Sequence, residues 1–276
     1  MYGLITRHPA EVGWGGFDRT FFEVKDASGT QREPAAGAVS ALSCFGDNAA
    51  ARADPSLVPV DDEGRPATAE RPYFDWSFVC PSRDAYREGL LALVDHCVEV
   101  SPDVRLDDVG FPRAEYCHCE VCETRFSESD HDEWTDWRAE VVTWFVEAVA
   151  ERVPGELSMA VHPDPYPGHL RSRSGVDLAA LADVVDELVV PLYDTAYGTT
   201  YWLEALASGF ADRFPGRVGV ELYAVDVDVD ALIRATTVAR EYADCVYFGY
   251  DASNARAALR RMAADEREGV THGERS

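Results

Sequence analysis

From residue 73 onward the chain alternates short β-rich runs with helical stretches, and this alternation constrains the fold more than any other feature. Runs rich in β-branched and aromatic residues occupy 73–79, 104–109, 157–162, 188–193, 218–223 and 245–250. Helical patterns fill the gaps at 83–98, 132–153, 176–186, 200–214, 229–242 and 253–264. Repeated strand–helix units read as a parallel sheet, because each parallel pairing needs a long crossover. Upstream, strands are expected at 2–6 and 39–45, with a weak helix at 17–26 between them. Eight strands is the number that closes a (β/α)8 (TIM) barrel, and 276 residues suit a fold of roughly 250. Residues 47–71, rich in Ala, Pro, Asp and Gly, have no helical period, so the second crossover is expected to be irregular. One domain over residues 1–264 and a polar tail over 265–276 are expected.

Charge then narrows the partners. Asp and Glu number 50 against 25 Lys and Arg, a formal net charge of -25, and the only lysine is Lys25. A surface selected for carboxylates over lysine is expected in concentrated salt, which points to a halophile. Neither nucleic acid nor an anionic membrane is an expected partner, since no Lys/Arg cluster offers the positive footprint they need. The first residues lack a basic segment followed by an apolar run, and no stretch reaches the roughly 18 apolar residues of a membrane span, so a cytoplasmic protein is expected.

Strand parity assigns side chains to the two faces of the barrel wall. In the fourth predicted strand Val104 and Leu106 should pack on helices, which turns Arg105 and Asp107 inward; Asp108 should face outward unless the strand bends. In the seventh, Val218, Val220 and Leu222 take the helix side and leave Gly219, Glu221 and Tyr223 inside. Carboxylates at the C-terminal ends of strands sit where a barrel glycosidase needs them, because two carboxyl groups must flank one glycosidic bond. Asp107, Asp108 and Glu221 are therefore the candidate catalytic residues. The competing reading makes Arg105, Asp107 and Glu221 a buried structural ion network. Polar groups at other strand ends, His162, Asp164, Tyr193, Asp194, Tyr250 and Asp251, suit a polyhydroxylated ligand such as a carbohydrate. Trp14, Trp76, Tyr166, Tyr197 and Tyr223 could stack on sugar faces; of these, Trp76 and Tyr223 join Arg105, His162, Asp164, Tyr193, Asp194 and Asp251 as candidate substrate contacts.

Cys117-His118-Cys119-Glu120-Val121-Cys122 gathers three thiols within six residues. In a reducing compartment such density points to metal, and zinc is the natural ion for thiolates. Zinc usually takes four ligands; Cys80 is best placed to be the fourth, with Cys44, His118 and His131 as alternatives. Four protein ligands leave no open position, so the zinc would be structural. Cys97 and Cys245 read as core thiols.

Two segments together resemble a known family. Cys80-Pro81-Ser82-Arg83-Asp84-Ala85-Tyr86-Arg87, followed by the cysteine cluster and Glu123-Thr124-Arg125-Phe126, is similar to the zinc-bearing segment of family 42 β-galactosidases. Val104-Arg105-Leu106-Asp107-Asp108-Val109-Gly110-Phe111-Pro112 looks like the Leu-Asp segment of glycoside-hydrolase-like barrels. The resemblance covers roughly residues 74 to 126. It implies a (β/α)8 barrel, zinc on Cys80, Cys117, Cys119 and Cys122, and an acid/base residue at the end of the fourth strand. The galactosidases have Asn-Glu there, where this chain has Asp107-Asp108, so galactosidase activity does not carry over.

Three functions follow as expectations. The first is a glycoside hydrolase with Asp107 or Asp108 as general acid and Glu221 as nucleophile or base. The second is a carbohydrate-binding barrel without hydrolysis. The third is an enzyme in which zinc is catalytic.

Overall fold

A computed structural model describes residues 1–164 and 166–273. Eight parallel strands pair in chain order and close on themselves: β1 (Tyr2–Thr6), β2 (Arg19–Lys25), β3 (Val39–Ser43), β4 (Val104–Asp107), β5 (Leu157–Ala160), β6 (Glu187–Pro191), β7 (Arg217–Tyr223) and β8 (Cys245–Gly249). The expected barrel is the observed one. Around it run α1 (Asn48–Ala53), α2 (Asp84–Val98), α3 (Glu120–Ser127), α4 (Trp134–Ala150), α5 (Leu170–Ser174), α6 (Leu178–Leu181), α7 (Tyr201–Ala211), α8 (Val229–Tyr242) and α9 (Ala252–Gly273). Among the described residues no helix is long and apolar enough to cross a membrane.

Eight strands were expected and eight are present, but through two offsetting errors. Residues 17–26, expected as a helix, contain β2, whose Phe21, Phe22, Glu23, Val24 and Lys25 are all buried. A strand buried on both faces loses the polar alternation that marks a strand in sequence. Residues 73–79, expected as a strand, form turns, with only an isolated bridge between Gly46 and Phe78. Their aromatics pack on one another, with Phe74 and Phe78 ring centres 5.2 Å apart. The irregular stretch at 47–71 consequently opens the third crossover, not the second. The first crossover holds a single 3-10 turn (Pro9–Glu11), and the second has no helix. The helix expected at 176–186 shrinks to α6, and the last helix, expected to stop at 264, runs to Gly273. Residues 274–276 of the expected tail lie outside the described residues.

Two apolar layers hold the structure. Val104, Leu106, Val218, Val220 and Leu222 face the helices, as parity predicts, and join the large core shared with Val142, Phe145, Phe210 and Leu232. A smaller cluster of Ile5, Phe21, Val39, Ala41, Val189, Cys245 and Tyr247 fills the barrel itself. The Tyr247 ring crosses the interior, where its hydroxyl donates to Glu187 at 2.7 Å. A Cβ on Gly3 or on Gly219 would come within 2.5 Å of that ring. Only glycine at both positions leaves room for it.

Candidate functional site

At the C-terminal end of the strands a cavity of about 650 Å³ opens. Its walls carry Glu23 from β2, Ser43 from β3, Arg105 and Asp107 from β4, and Asp108 just beyond. Asp108 enters because the chain bends there: its φ is +54°, a left-handed conformation that Asp tolerates better than most residues. The bend overrides the outward parity expected of Asp108. Its carboxylate turns toward β3 and accepts a hydrogen bond from the Ser43 hydroxyl.

Asp107 turns the other way. Arg105 donates from Nε to Asp107 Oδ1 at 2.8 Å and from Nη2 to Glu221 Oε2 at 2.5 Å. One guanidinium fork spans both acids and so keeps these two oxygens within about 8 Å of each other. Their access differs, however. Asp107 retains 19% of its side-chain exposure, whereas Glu221 retains 0% and does not line the cavity. The other Glu221 oxygen accepts from the Tyr193 hydroxyl.

Different partners surround the adjacent aspartates. Burial pushes Asp107 up to about 7, with Arg105 opposing the rise and the Glu221 and Asp108 charges adding to it. Burial also raises Asp108, against the Ser43 hydroxyl and Lys25, which favour its charged form. Lys25 is itself buried: Nζ donates to the Ser43 carbonyl at 2.7 Å and pairs with Asp47 at 3.1 Å.

Of the remaining expected contacts, Trp76, His162 and Tyr193 line the cavity, and Asp164, Asp194, Tyr223 and Asp251 do not. The last four serve local structure. Asp164 accepts from the Tyr166 amide, Asp194 from Ala196 and Asp251 from Asn254, all bonds that shape the loops after their strands. Tyr223 packs behind Tyr193 at 5.4 Å. Tyr197 is buried, Tyr166 is exposed off the cavity, and Trp14 stacks under Arg256 away from it. Sequence reasoning missed Glu23, which Arg7 and the Tyr250 hydroxyl hold, because it lay in a segment read as helix. It also missed Asp26 and Asp75, which line the cavity from loops, and Arg173, which lines it from the end of α5, a helix too short for periodicity to mark.

Gly46 fixes Trp76 against this site. A Cβ there would lie 2.7 Å from Trp76 Nε1 and 2.8 Å from Asp108 Oδ2. Gly46→Ala is expected to push Trp76 aside at a cost of about 1–3 kcal/mol. A lower thermal midpoint together with an altered near-ultraviolet circular dichroism spectrum would register it; an unchanged spectrum would contradict this packing.

Beside the cavity, Cys80, Cys117, Cys119 and Cys122 are buried with their four sulfur atoms all within 4.8 Å of one another. A tetrahedral ion with bonds of about 2.3 Å sets sulfurs about 3.8 Å apart. The Cys80–Cys122 separation of 3.3 Å and the Cys80–Cys119 separation of 3.9 Å fit that scale. The alternatives for the fourth ligand are engaged elsewhere. His118 stacks on Trp134 at 4.8 Å, His131 meets Glu140 at 3.0 Å, and the Cys44 thiol faces the Leu42 carbonyl. The donor set suits a soft cation and ties the segment carrying Trp76 and Phe78 to the loop after β4.

The fold and site together define a (β/α)8 barrel with an acidic mouth and a four-cysteine site that could hold a metal. Among solved structures, the chain is similar to alpha-L-fucosidase isoenzyme 2 from Paenibacillus thiaminolyticus, with a TM-score of 0.67 at 13% identity over 97% of this chain. It spans 49% of that fucosidase chain. A second structure, the Ignisphaera aggregans GH53 catalytic domain, matches at 14% identity over 90% of this chain and 84% of its own, with a TM-score of 0.37. No protein-family model and no curated protein matches.

Proposed function

We propose that the protein hydrolyses a glycosidic bond, with Asp107 as general acid and Asp108 as the second carboxylate. The observation that carries this reading is the division of two neighbouring acids by their surroundings within one cavity. Asp107, raised to about 7, holds a proton near neutrality; Asp108 accepts a hydrogen bond from Ser43 and has Lys25 nearby, and both favour its charged form against burial. Environments that push two carboxyl groups apart assign the acid and the base. Asp107 gives its proton to the leaving-group oxygen as the bond to the anomeric carbon breaks. Asp108 either takes a proton from the attacking water or attacks that carbon itself, and the anomer first released distinguishes the two.

Glu221 changes role in this reading. With no exposed surface and both oxygens engaged, it positions Arg105 and Tyr193 and leaves the reacting bond to the aspartates. Trp76 and Tyr193 on the cavity wall suit sugar faces. The barrel shared with the fucosidase and the resemblance of the cysteine segment to family 42 both support a carbohydrate ligand. Zinc on Cys80, Cys117, Cys119 and Cys122 would be structural, since four thiolates leave water no position on it. That arrangement disfavours catalytic zinc.

A panel of aryl glycosides in high salt is the direct test. Turnover of at least one is expected, with kcat falling as pH rises through about 7, because the acid must be protonated. Sugar binding without turnover of any glycoside would favour the binding-module reading.

A further inference from the structure

Three arginines line the cavity, and two have carboxylate partners: Arg7 pairs with Glu23, and Arg105 with Asp107 and Glu221. Arg173 forms no ion pair and its side chain makes no hydrogen bond among the described residues. In a chain with 50 acidic and 25 basic residues, a half-buried arginine without a partner runs against composition. Both carboxylates near enough to influence it are turned to other groups. Glu115 pairs with Arg113 at 2.9 Å, and Asp164 accepts from the Tyr166 amide and faces His169 at 3.9 Å.

The surroundings of Arg173 make its isolation more costly. Burial lowers its pKa, and Arg113 lowers it further. His162, which also lines the cavity, is pushed down to about 4 by lost hydration and then by Arg173 and Arg113, so it stands neutral beside them. The arrangement is built, not incidental. Arg138, 1% exposed, donates to the carbonyls of Arg113 at 2.8 Å and Arg173 at 3.0 Å, and to those of Ala114 and Ser172. One buried side chain thus clasps the loop after β4 to the end of α5 and anchors the backbone from which both arginines project.

We infer that Arg173, with His162 beside it, receives the carboxylate of an acidic sugar, so that the substrate is a uronic-acid glycoside. This rests on the glycosidase reading and names the substrate class for the same cavity. A guanidinium fork matches a carboxylate in bidentate fashion, and neutral His162 can donate one further hydrogen bond. The bound anion would supply the countercharge that the protein leaves out.

The test compares aryl glucuronide and galacturonide with the matching glucoside, galactoside and 6-sulfated galactoside. It also compares binding of free glucuronate and galacturonate with that of glucose and galactose by calorimetry. Uronides are expected to exceed neutral sugars at least tenfold in kcat/KM or affinity. Arg173→Gln should lower that ratio about tenfold or more, Arg173→Lys should recover part of it, and Arg234→Gln on the outer face of α8 should leave it alone. Melting curves establish that each variant is folded. A ratio near one, or one that Arg173→Gln does not change, overturns the inference, as does an Arg173-dependent preference for the sulfated sugar. Arg173-dependent uronate binding without turnover upholds it and defeats the hydrolase reading. Neutral-sugar turnover indifferent to Arg173 does the reverse.

Discussion

Asp107→Asn is expected to lower glycoside turnover about 10³-fold, the scale of losing one general acid, while sugar binding persists. The same change should stabilise the protein near pH 8. In the folded state Asp107 is raised from 3.8 to about 7, so the native protein holds this proton more tightly than the unfolded chain does. Its contribution to stability is therefore full below about 4 and is lost as pH rises toward 7. Above that, the folded protein carries an ionised Asp107 at a cost of up to about 4 kcal/mol, which neutral Asn avoids. Arg105 keeps a charged partner in the variant, because Glu221 remains bonded to it. Steady-state kinetics, calorimetric sugar binding and melting at pH 5 and pH 8 check the three parts. Unchanged turnover would remove Asp107 from the chemistry; a lower melting point at pH 8 would show that its charge stabilises the fold.

Withdrawing metal from the four-cysteine site should lower the thermal midpoint by about 10 °C, the equivalent of a few kcal/mol in a chain of this size. Zinc contributes roughly 10–16 kcal/mol to isolated finger peptides that have no other core. Here the barrel has its own core, so the loss should be partial. Cys80 and the loop carrying Cys117, Cys119 and Cys122 come from separate crossovers, and their release should loosen the segment bearing Trp76. A rise in KM larger than any fall in kcat is accordingly expected. A strong chelator, with released zinc counted by a colorimetric dye and Cys119→Ser as a genetic counterpart, would measure this. Full stability with no metal released would leave the four thiols as core packing.

The barrel was legible in the sequence because six strand–helix units carry contrasting periods. Parity succeeded in β4 and β7, where the apolar residues Val104, Leu106, Val218, Val220 and Leu222 mark the helix-facing side. It failed at Asp108, because a single left-handed residue reverses a side chain without disturbing the surrounding pattern. β2 was obscured by burial on both faces: Glu23 and Lys25 sit inside where a half-buried strand would expose them. The aromatic run at 73–79 misled in the opposite direction, since the preferences that favour strands also favour the wall of a binding cavity. Cysteine spacing was the most direct signal of the four-thiol cluster, because Cys117, Cys119 and Cys122 lie within one loop and the adjoining helical turn. Arg173 left no comparable mark. Its significance comes from the partners it lacks, which only the folded arrangement defines.

The burial of Lys25 has a practical side. It is the only lysine in the chain, and its amine is enclosed by Ser43, Gly46 and Asp47. Amine-directed dyes and cross-linkers therefore meet no lysine on the folded surface. Lys25 becomes reactive when β2 opens, so acylation at this residue reports opening events beneath the cavity floor.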